Sequence, residues 1–238
     1  MLTLRSAALS DIGRVRRENE DRVLHEPELR LFGVADGVGG LPGGAEAAQF
    51  TVEQIAEAVR EASTALPNLV TITQQVSFGV HRLGGHLSPT FGIGSTLTFG
   101  HVTANDVMRI AHVGDSRCYV LNGRELLQLT EDHSVENEAR LRRARGEVVS
   151  YPESSRAALT RCIGQPTPPE VDLTERPLRK GDRYLFCTDG ICRVVRDMEL
   201  AAMLGHKREP DEILAEIVDL ALKRGGPDNA TGVLLMVD

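Results

Sequence analysis

Residues 29–40 read LRLFGVADGVGG and join an apolar strand to a carboxylate. The segment from Leu29 to Ala35 is nearly all apolar, which is typical of a buried strand. Asp36 follows at once, and Gly37 allows the backbone to turn sharply and a carbonyl group to approach a ligand. Because an Asp-Gly pair is also a common turn, this segment taken alone predicts a strand and a turn.

An aspartate lies close to the end of an apolar strand twice more along the chain. Asp189 follows the apolar strand 184–187, and Asp228 comes shortly before the apolar strand 233–237. Carboxylates at strand ends can converge at one edge of a sheet, where several like charges are stable only when cations neutralise them. Oxygen ligands of this kind favour hard ions such as Mg²⁺ or Mn²⁺. Together with Asp36, these aspartates therefore predict a divalent-cation site.

Hairpin and helix signals fill much of the remaining chain. Asn122-Gly123 predicts a tight turn between two strands, since this pair tolerates positive φ angles. Hairpins interleaved with blocks of helix predict an α+β fold of mostly antiparallel sheets covered by helices. The other predicted strands are 95–99, 107–113, 118–121 and 125–129, and the predicted helices are 45–62, 69–83 and 210–222.

Length and charge exclude several classes of protein. A chain of 238 residues without a visible linker predicts one domain spanning 1–238. Its formal charge of −7 argues against nucleic acid as a partner, because such proteins usually carry a basic face. No apolar run approaches the roughly 18 residues of a membrane-spanning helix. The start lacks the apolar core of a secretory signal and the four cysteines form no C-x-x-C pair, so we expect a cytoplasmic location.

Eight motifs, in order along the chain, resemble the protein phosphatase 2C family in its bacterial form. They are RVRRENED at 14–21, FGVADGVGG at 32–40, GSTLTFG at 94–100, HVGDSRCYVL at 112–121, LTEDHS at 129–134, LTRCIG at 159–164, LFCTDG at 185–190 and GGPDNATGVLLMV at 225–237. The resemblance spans nearly the whole chain. It implies a four-layer α-β-β-α sandwich, in which two mostly antiparallel sheets are flanked by helices, and a site for two Mn²⁺ or Mg²⁺ ions.

The resemblance also implies roles for individual residues. The ligands it implies are Asp36 as the carboxylate bridging both metals, Gly37 through its carbonyl, Asp189 and Asp228 on the first metal, and Asp21 on the second. Glu20 corresponds to a ligand in some family members and to a glutamine in others. Arg16 resembles the phosphate-binding arginine, whose planar fork can take two phosphate oxygens. Its neighbours Arg14 and Arg17 are interpreted as solvated surface charge, and Asn229 as a residue that orients its loop.

The implied reaction is hydrolysis of phosphoserine and phosphothreonine in proteins, with a bacterial kinase as the opposing partner. A water bridging two metals attacks phosphorus without a covalent enzyme intermediate. Animal members place a histidine two residues after the bridging aspartate, and this chain has Val38 there. A metal-bound water, or another histidine, is then the expected proton donor to the leaving oxygen.

A third metal is doubtful in this chain. Family members often bind a weaker third ion through the Gly-Asp-Ser aspartate, here Asp115, and an aspartate that is replaced here by Arg193. A cation in that place should weaken the third site, and its guanidinium is free to pair with Asp115 instead. We therefore expect two metals, while a purely structural role for Asp115 in its hairpin stays open.

Other interpretations of the same residues remain open. Cys187 and Arg193 have the spacing of cysteine-dependent phosphatases, but Asp189 inside that loop would repel a thiolate. His133 is interpreted as a structural residue. A flap is expected at about 136–156, where arginines on a solvated helix face are able to steer acidic substrates.

Two functional alternatives accompany the phosphatase hypothesis. One is a catalytically silent module of the same fold that binds phosphoproteins, against which the complete set of aspartates argues. The other is a phosphatase devoted to a regulator of secretion or stress response, with the same chemistry and different partners.

Overall fold

The computed structural model describes residues 2–39, 42–62 and 66–238. The strands are β1 (Leu4–Asp11), β2 (Asp21–Glu26), β3 (Leu31–Asp36), β4 (Leu97–Val102), β5 (Val107–Val113), β6 (Arg117–Asn122), β7 (Glu125–Gln128), β8 (Asp172–Pro177), β9 (Arg183–Cys187) and β10 (Ala230–Val237). The helices are α1 (Gly44–Glu61), α2 (Leu69–Leu87), α3 (Val135–Ala144), α4 (Asp189–Cys192), α5 (Asp197–Leu204) and α6 (Pro210–Lys223), with 3₁₀ turns at Pro27–Leu29 and Glu153–Ser155.

Two five-stranded sheets form the centre of the molecule. The first sheet has the order β1-β10-β9-β6-β7, and the second has the order β2-β3-β4-β5-β8. Every strand pairing within them is antiparallel. The predicted α+β fold with antiparallel sheets is confirmed.

The alternation of side chains along β9 explains how the layers hold together. Tyr184 and Phe186 point into the apolar layer between the two sheets, where Phe32 of β3 meets them. Leu185 and Cys187 point the other way, into the layer that α6 covers. A strand with both faces buried needs an apolar residue at every position, which is why this segment carries no polar alternation.

Helices close both outer faces of the sandwich. On the second sheet, α1 buries Ile55 and Val59, and α2 packs alongside it. On the first sheet, α6 buries Leu214 and Ile217. Since each helix hides one apolar stripe on one sheet, the result is the predicted α-β-β-α order of layers.

Several predicted boundaries shift for local reasons. The strand predicted from Leu29 begins at Leu31, because Pro27–Leu29 form a 3₁₀ turn that ends with Arg30 at a φ of 52°. The strand predicted at 95–99 runs from Leu97 to Val102 instead. Edge strand β8 was not predicted, because its sequence DLTERP alternates half-buried polar residues with exposed residues that include Leu173, and it offers no apolar run.

The flap predicted at 136–156 begins with α3 and has a narrow base. The Val135 N–H donates to the Ala158 carbonyl over 3.0 Å, and the Thr160 N–H donates to the His133 carbonyl over 2.9 Å. The segment therefore leaves and rejoins the body of the protein at one place. None of the described helices combines the length and the apolar character that crossing a membrane requires.

Candidate metal centre

Two aspartates of the second sheet face each other where β2 begins and β3 ends. Asp21 and Asp36 are directly opposed in the antiparallel register of these strands. Burial, reinforced by the nearby carboxylates of Asp189 and Asp228, raises the pKa of Asp21 to about 7. Burial, followed by the charge of Asp21, raises the pKa of Asp36 well above its ordinary value. Two carboxylates held in this way resist ionisation unless a positive charge joins them.

The two oxygen atoms of Asp21 have different surroundings. Oδ2 accepts a hydrogen bond of 2.8 Å from Thr188 Oγ1, which in turn accepts one of 3.1 Å from the Thr231 N–H. Oδ1 is buried and has no hydrogen-bond partner among the described residues. A buried carboxylate oxygen without a donor is costly, so this atom is suited to a cation.

The first sheet brings two further aspartates to the same end of the sandwich. Asp189 opens α4 shortly after β9, and Asp228 lies just before the neighbouring strand β10. Both carboxylates add to the negative potential that raises the pKa of Asp36. Gly190 permits this approach, because a Cβ atom there would lie 1.9 Å from the Asn229 carbonyl oxygen. The strand-end aspartates read from the sequence therefore converge from both sheets.

The acidic side chains come together without forming a complete set of ligands around one point. Among residues 2–39, 42–62 and 66–238, no three acidic, histidine or cysteine side chains are arranged to coordinate one ion as they stand. The donor set still fits a divalent cation, because the bare Oδ1 of Asp21 and the raised pKa of Asp36 mark uncompensated negative charge. All of these donors are hard carboxylate oxygens, which Mg²⁺ and Mn²⁺ prefer.

Arg16 lies at the rim of this centre. Its Nη2 donates a hydrogen bond of 2.7 Å to Asp228 Oδ2, and its Nη1 lies 3.8 Å from Glu20 Oε2. With 38% of its side chain exposed, the guanidinium can be reached from solvent. Glu20 lies further in, and burial raises its pKa. Its carbonyl accepts from the N–H of Gly37 over 3.2 Å, which places that glycine beside the aspartates.

Asp115 lies on the other side of Asp189, and a guanidinium bridges the two. Arg193 donates to Asp115 Oδ2 over 2.5 Å, and its Nε lies 3.3 Å from Asp189 Oδ2. Burial raises the pKa of Asp115 to about 6, with the charge of Asp189 adding to the effect and Arg193 opposing it. The residue that departs from the family pattern thus supplies a positive charge at this position.

Comparison with known proteins agrees with this geometry. The family model "Protein phosphatase 2C" matches residues 8–230 of the chain. The chain belongs to the protein phosphatase 2C family. The resemblance read from its motifs is therefore confirmed.

Members of this family from several bacteria are similar to the chain. The serine/threonine protein phosphatase PstP of Mycobacterium tuberculosis is 35% identical, over 98% of this chain and 45% of that protein, so the chain spans about half of its length. The serine/threonine phosphatase stp of Listeria monocytogenes is 31% identical, over 96% of this chain and 94% of that protein. The crystal structure of the PstP catalytic domain in complex with 2 manganese ions has a TM-score of 0.82 and 32% identity, over 100% of this chain and 99% of that one.

Within this protein phosphatase 2C fold, Asn229 holds loops together. Its side-chain amide donates to the carbonyls of Ile12 and Glu18 over 2.8 and 3.0 Å, and its Oδ1 accepts from the Glu20 N–H over 2.9 Å. It therefore ties the β1–β2 loop, residues 12–20, to the loop that carries Asp228. This is the orienting role predicted for Asn229.

Several supporting residues were missed by sequence reasoning. Thr188 anchors Asp21, and Thr96 Oγ1 accepts from the Asp36 N–H over 3.0 Å. Both threonines lie inside motifs already noted, Thr188 next to Asp189 and Thr96 directly before β4, the strand that pairs with β3. Their positions were a usable signal, but which aspartate each one holds depends on the packing of the two sheets.

The cysteine interpretation finds no support in the structure. Cys187 is fully buried in β9, and Arg193 binds carboxylates. Cys192 is also buried, and its hydrogen bond with Cys187 together with burial raises the pKa of its thiol far above the ordinary value. A cysteine nucleophile needs a thiol that opens onto a phosphate-binding loop, and the fully buried Cys187 does not.

His133, and Val38 at the position where animal family members have a histidine, both make structural contacts. His133 Nδ1 accepts from the Gly114 N–H over 3.1 Å, and its Nε2 lies 3.2 Å from Asp172. Burial lowers the pKa of this histidine. Val38 donates its backbone N–H to the Gly94 carbonyl over 2.9 Å and brings no titratable group to the centre.

Proposed function

We propose that this chain is a metal-dependent phosphatase that hydrolyses phosphoserine and phosphothreonine in proteins. One observation carries the proposal: four aspartates from both sheets, Asp21, Asp36, Asp189 and Asp228, converge, and the inner two, Asp21 and Asp36, form no salt bridge with any described residue. Such a cluster has a chemical use only when cations occupy it. Relatives that bear the name serine/threonine phosphatase support the substrate class.

The proposed cofactors are two Mn²⁺ or Mg²⁺ ions. Asp36 would bridge them, with Gly37 offering its carbonyl and Glu20 lying within reach. Asp189 and Asp228 would hold one ion and Asp21 the other. When bound, divalent cations lower the pKa of a water molecule and neutralise charge on the phosphoryl oxygens. The relative solved with 2 manganese ions supports this class of cofactor.

Protein side chains would orient the substrate and its surroundings. Arg16 can exchange its bond with Asp228 for a two-point contact with phosphate oxygens, because its fork is already at the rim. Thr188 fixes the Asp21 carboxylate so that Oδ1 stays directed away from protein donors. With Val38 beside Asp36, the proton for the leaving serine or threonine oxygen is proposed to come from water.

Two cations, rather than three, follow from the position of Arg193. A third ion would need Asp115, whose Oδ2 already accepts from that guanidinium. Since Arg193 also approaches Asp189, one fixed positive charge serves both carboxylates. We extend the proposal to a single domain with a substrate-facing flap, acting in the cytoplasm opposite a protein kinase.

The test is phosphate release from a phosphothreonine peptide, with Mn²⁺ and with a chelator. We expect release to require Mn²⁺, to fall by about a thousandfold or more in Asp36→Asn, and to survive in Cys187→Ser. The second variant is the matched control. Cys187 ends β9 as Asp36 ends β3, but it lies outside the centre. A wild-type chain that binds the phosphopeptide and never releases phosphate at any Mn²⁺ concentration would establish the silent binding module instead.

A further inference from the structure

The arginines near the centre differ in whether acidic residues neutralise them. On the flap, Arg142 lies 2.6 Å from Glu147 and Arg156 lies 2.5 Å from Glu136. Arg140 of α3 is within 3.4 Å of Glu131. These three arginines are paired with acidic residues, whereas Arg143 and Arg145 form no salt bridge with a described acidic residue, so only part of the flap's positive charge is neutralised within the protein.

The β1–β2 loop carries unpaired arginines next to the rim of the centre. Arg14 and Arg17 form no salt bridge with any described acidic residue, and both are exposed. Arg14 donates its Nε only to the Leu222 carbonyl, over 3.0 Å. Glu18 is the single acidic residue within 14–18, so this short stretch keeps net positive charge on a chain of formal charge −7. An acidic partner would be attracted here and repelled by much of the remaining surface.

The same loop exposes apolar surface. Val15 is 67% exposed between the arginines, and Ile12 is 40% exposed at the end of β1. Single exposed apolar residues are ordinary, but these two stand beside the rim residue Arg16. The loop that carries Arg16 therefore offers two exposed apolar side chains as well as unpaired arginines.

This loop is held in place by its neighbours. The Arg14 N–H donates to the Gly226 carbonyl over 2.8 Å, and Asn229 holds the Ile12 carbonyl over 2.8 Å. Gly13 packs so tightly that a Cβ atom there would lie 2.2 Å from the Asp228 carbonyl oxygen. A preorganised loop loses little conformational freedom on binding, which favours its use as a recognition surface.

We infer that residues 12–17 form a docking surface for the phosphoprotein segment around the phosphorylated residue. An apolar residue next to the phosphorylated one packs on Val15 and Ile12, and acidic residues further along pair with Arg14 and Arg17. The inference rests on the proposed phosphatase function and specifies its substrate class: acidic segments with an apolar residue flanking the phosphoserine or phosphothreonine.

Three phosphothreonine peptides test this surface. The first carries leucine on both sides of phosphothreonine and glutamates beyond, the second replaces leucine with serine, and the third replaces glutamate with lysine. For the wild-type chain with Mn²⁺, we expect kcat/KM to be about tenfold higher for the first peptide than for either of the others, which corresponds to ~1.4 kcal/mol.

Variants assign each preference to its residues. Val15→Ser should reduce the leucine preference to about twofold or less. The double variant Arg14→Ser, Arg17→Ser should reduce the glutamate preference to about twofold or less, and the remaining preference should no longer depend on salt concentration. Phe78→Ser is the matched apolar control, because Phe78 is 57% exposed on α2. Arg140→Ser is the matched arginine control on the flap. Neither control should change the ratios.

The results distinguish failure of the docking surface from failure of the phosphatase function. Equal kcat/KM for all three peptides, or a glutamate preference lost in Arg140→Ser and kept in the loop variant, would overturn the docking surface. Failure to hydrolyse any peptide or p-nitrophenyl phosphate would overturn the phosphatase function alone. In that case, the affinities of the three labelled peptides for Asp36→Asn are compared by fluorescence anisotropy. The first peptide should bind about tenfold more tightly than either of the others, and equal affinities would overturn the docking surface.

Discussion

The carboxylates of the centre fall into an inner pair without salt bridges and an outer set with salt bridges to arginine. Asp21 and Asp36, the inner pair, form no salt bridge with any described residue, and burial raises the pKa of both. In the outer set, Asp228 contacts Arg16, and Asp115 and Asp189 contact Arg193. Fixed guanidiniums therefore balance charge around the edge, while the middle is left for ions that can enter and leave.

The metal-free protein should lose stability as the pH rises, and this is the largest effect expected of the inner pair. The folded chain keeps a proton on Asp21 up to pH about 7, whereas the unfolded chain releases it near the ordinary pKa of 3.8. The contribution of Asp21 to stability is then fully present below pH about 4, and on the order of 4 kcal/mol of it is lost as the pH rises from 4 to 7. Chemical denaturation in chelator from pH 5 to 8 measures this, and excess Mn²⁺ should abolish the trend. A flat profile in chelator would mean that the inner pair is already compensated.

The variant Asp36→Asn should stabilise the metal-free protein while it removes activity. Replacing a buried, uncompensated carboxylate with a neutral amide of similar shape should raise the free energy of unfolding at pH 8 by about 2–3 kcal/mol. Urea titration in the presence of chelator measures the gain. If the variant is instead less stable than the wild type, the Asp36 carboxylate has a stabilising partner in the metal-free protein.

The outer set should respond in the same direction but more weakly. At pH 8, Asp115→Asn removes a buried charge whose pKa is raised to about 6, but it also leaves Arg193 without one of its two carboxylates, so we expect a gain of no more than about 1 kcal/mol. The same urea titration applies, at pH 8 and in chelator. An equal gain in Asp36→Asn and Asp115→Asn would erase the distinction between the inner pair and the outer set.

The variant Arg193→Asp should change the number of ions more than the stability of the fold. Removing the guanidinium and adding a carboxylate gives Asp115 a new acidic neighbour, so we expect native mass spectrometry in Mn²⁺ to show three ions where the wild type shows two. Arg193→Gln, which removes the charge without adding a ligand, is the control and should stay at two. Three ions on the wild-type chain would refute the role given to Arg193.

Sequence patterns predicted the strand-end aspartates and the layered fold because both depend on local runs of apolar residues. Asp36 and Asp189 stand at the ends of such runs, so their neighbourhood is visible without a structure. Asp21 was found only through the family resemblance, since β2 reads DRVLHE and carries no clear strand signal. The contact of Arg16 with Asp228 spans 212 residues, and no local pattern contains it.

The surface arginines show what sequence alone could not resolve. Arg14 and Arg17 were interpreted as solvated, and they are exposed, while the flap arginines were interpreted as a solvated helix face able to steer acidic substrates. Which of these arginines is neutralised depends on tertiary ion pairs, such as that of Arg156 with Glu136 across the base of the flap. Charge counts along the chain treat both groups alike, because a salt bridge depends on distance in space.

The place of β10 in the first sheet sets the moment at which the centre can exist during synthesis. This strand is inserted between β1 and β9, and Asp228 lies just before it. A nascent chain that has not yet delivered residues 228–237 from the ribosome lacks both an aspartate of the centre and the strand that joins β1 to β9. Such a chain has no complete centre, so the first sheet and the proposed metal site can only be completed together.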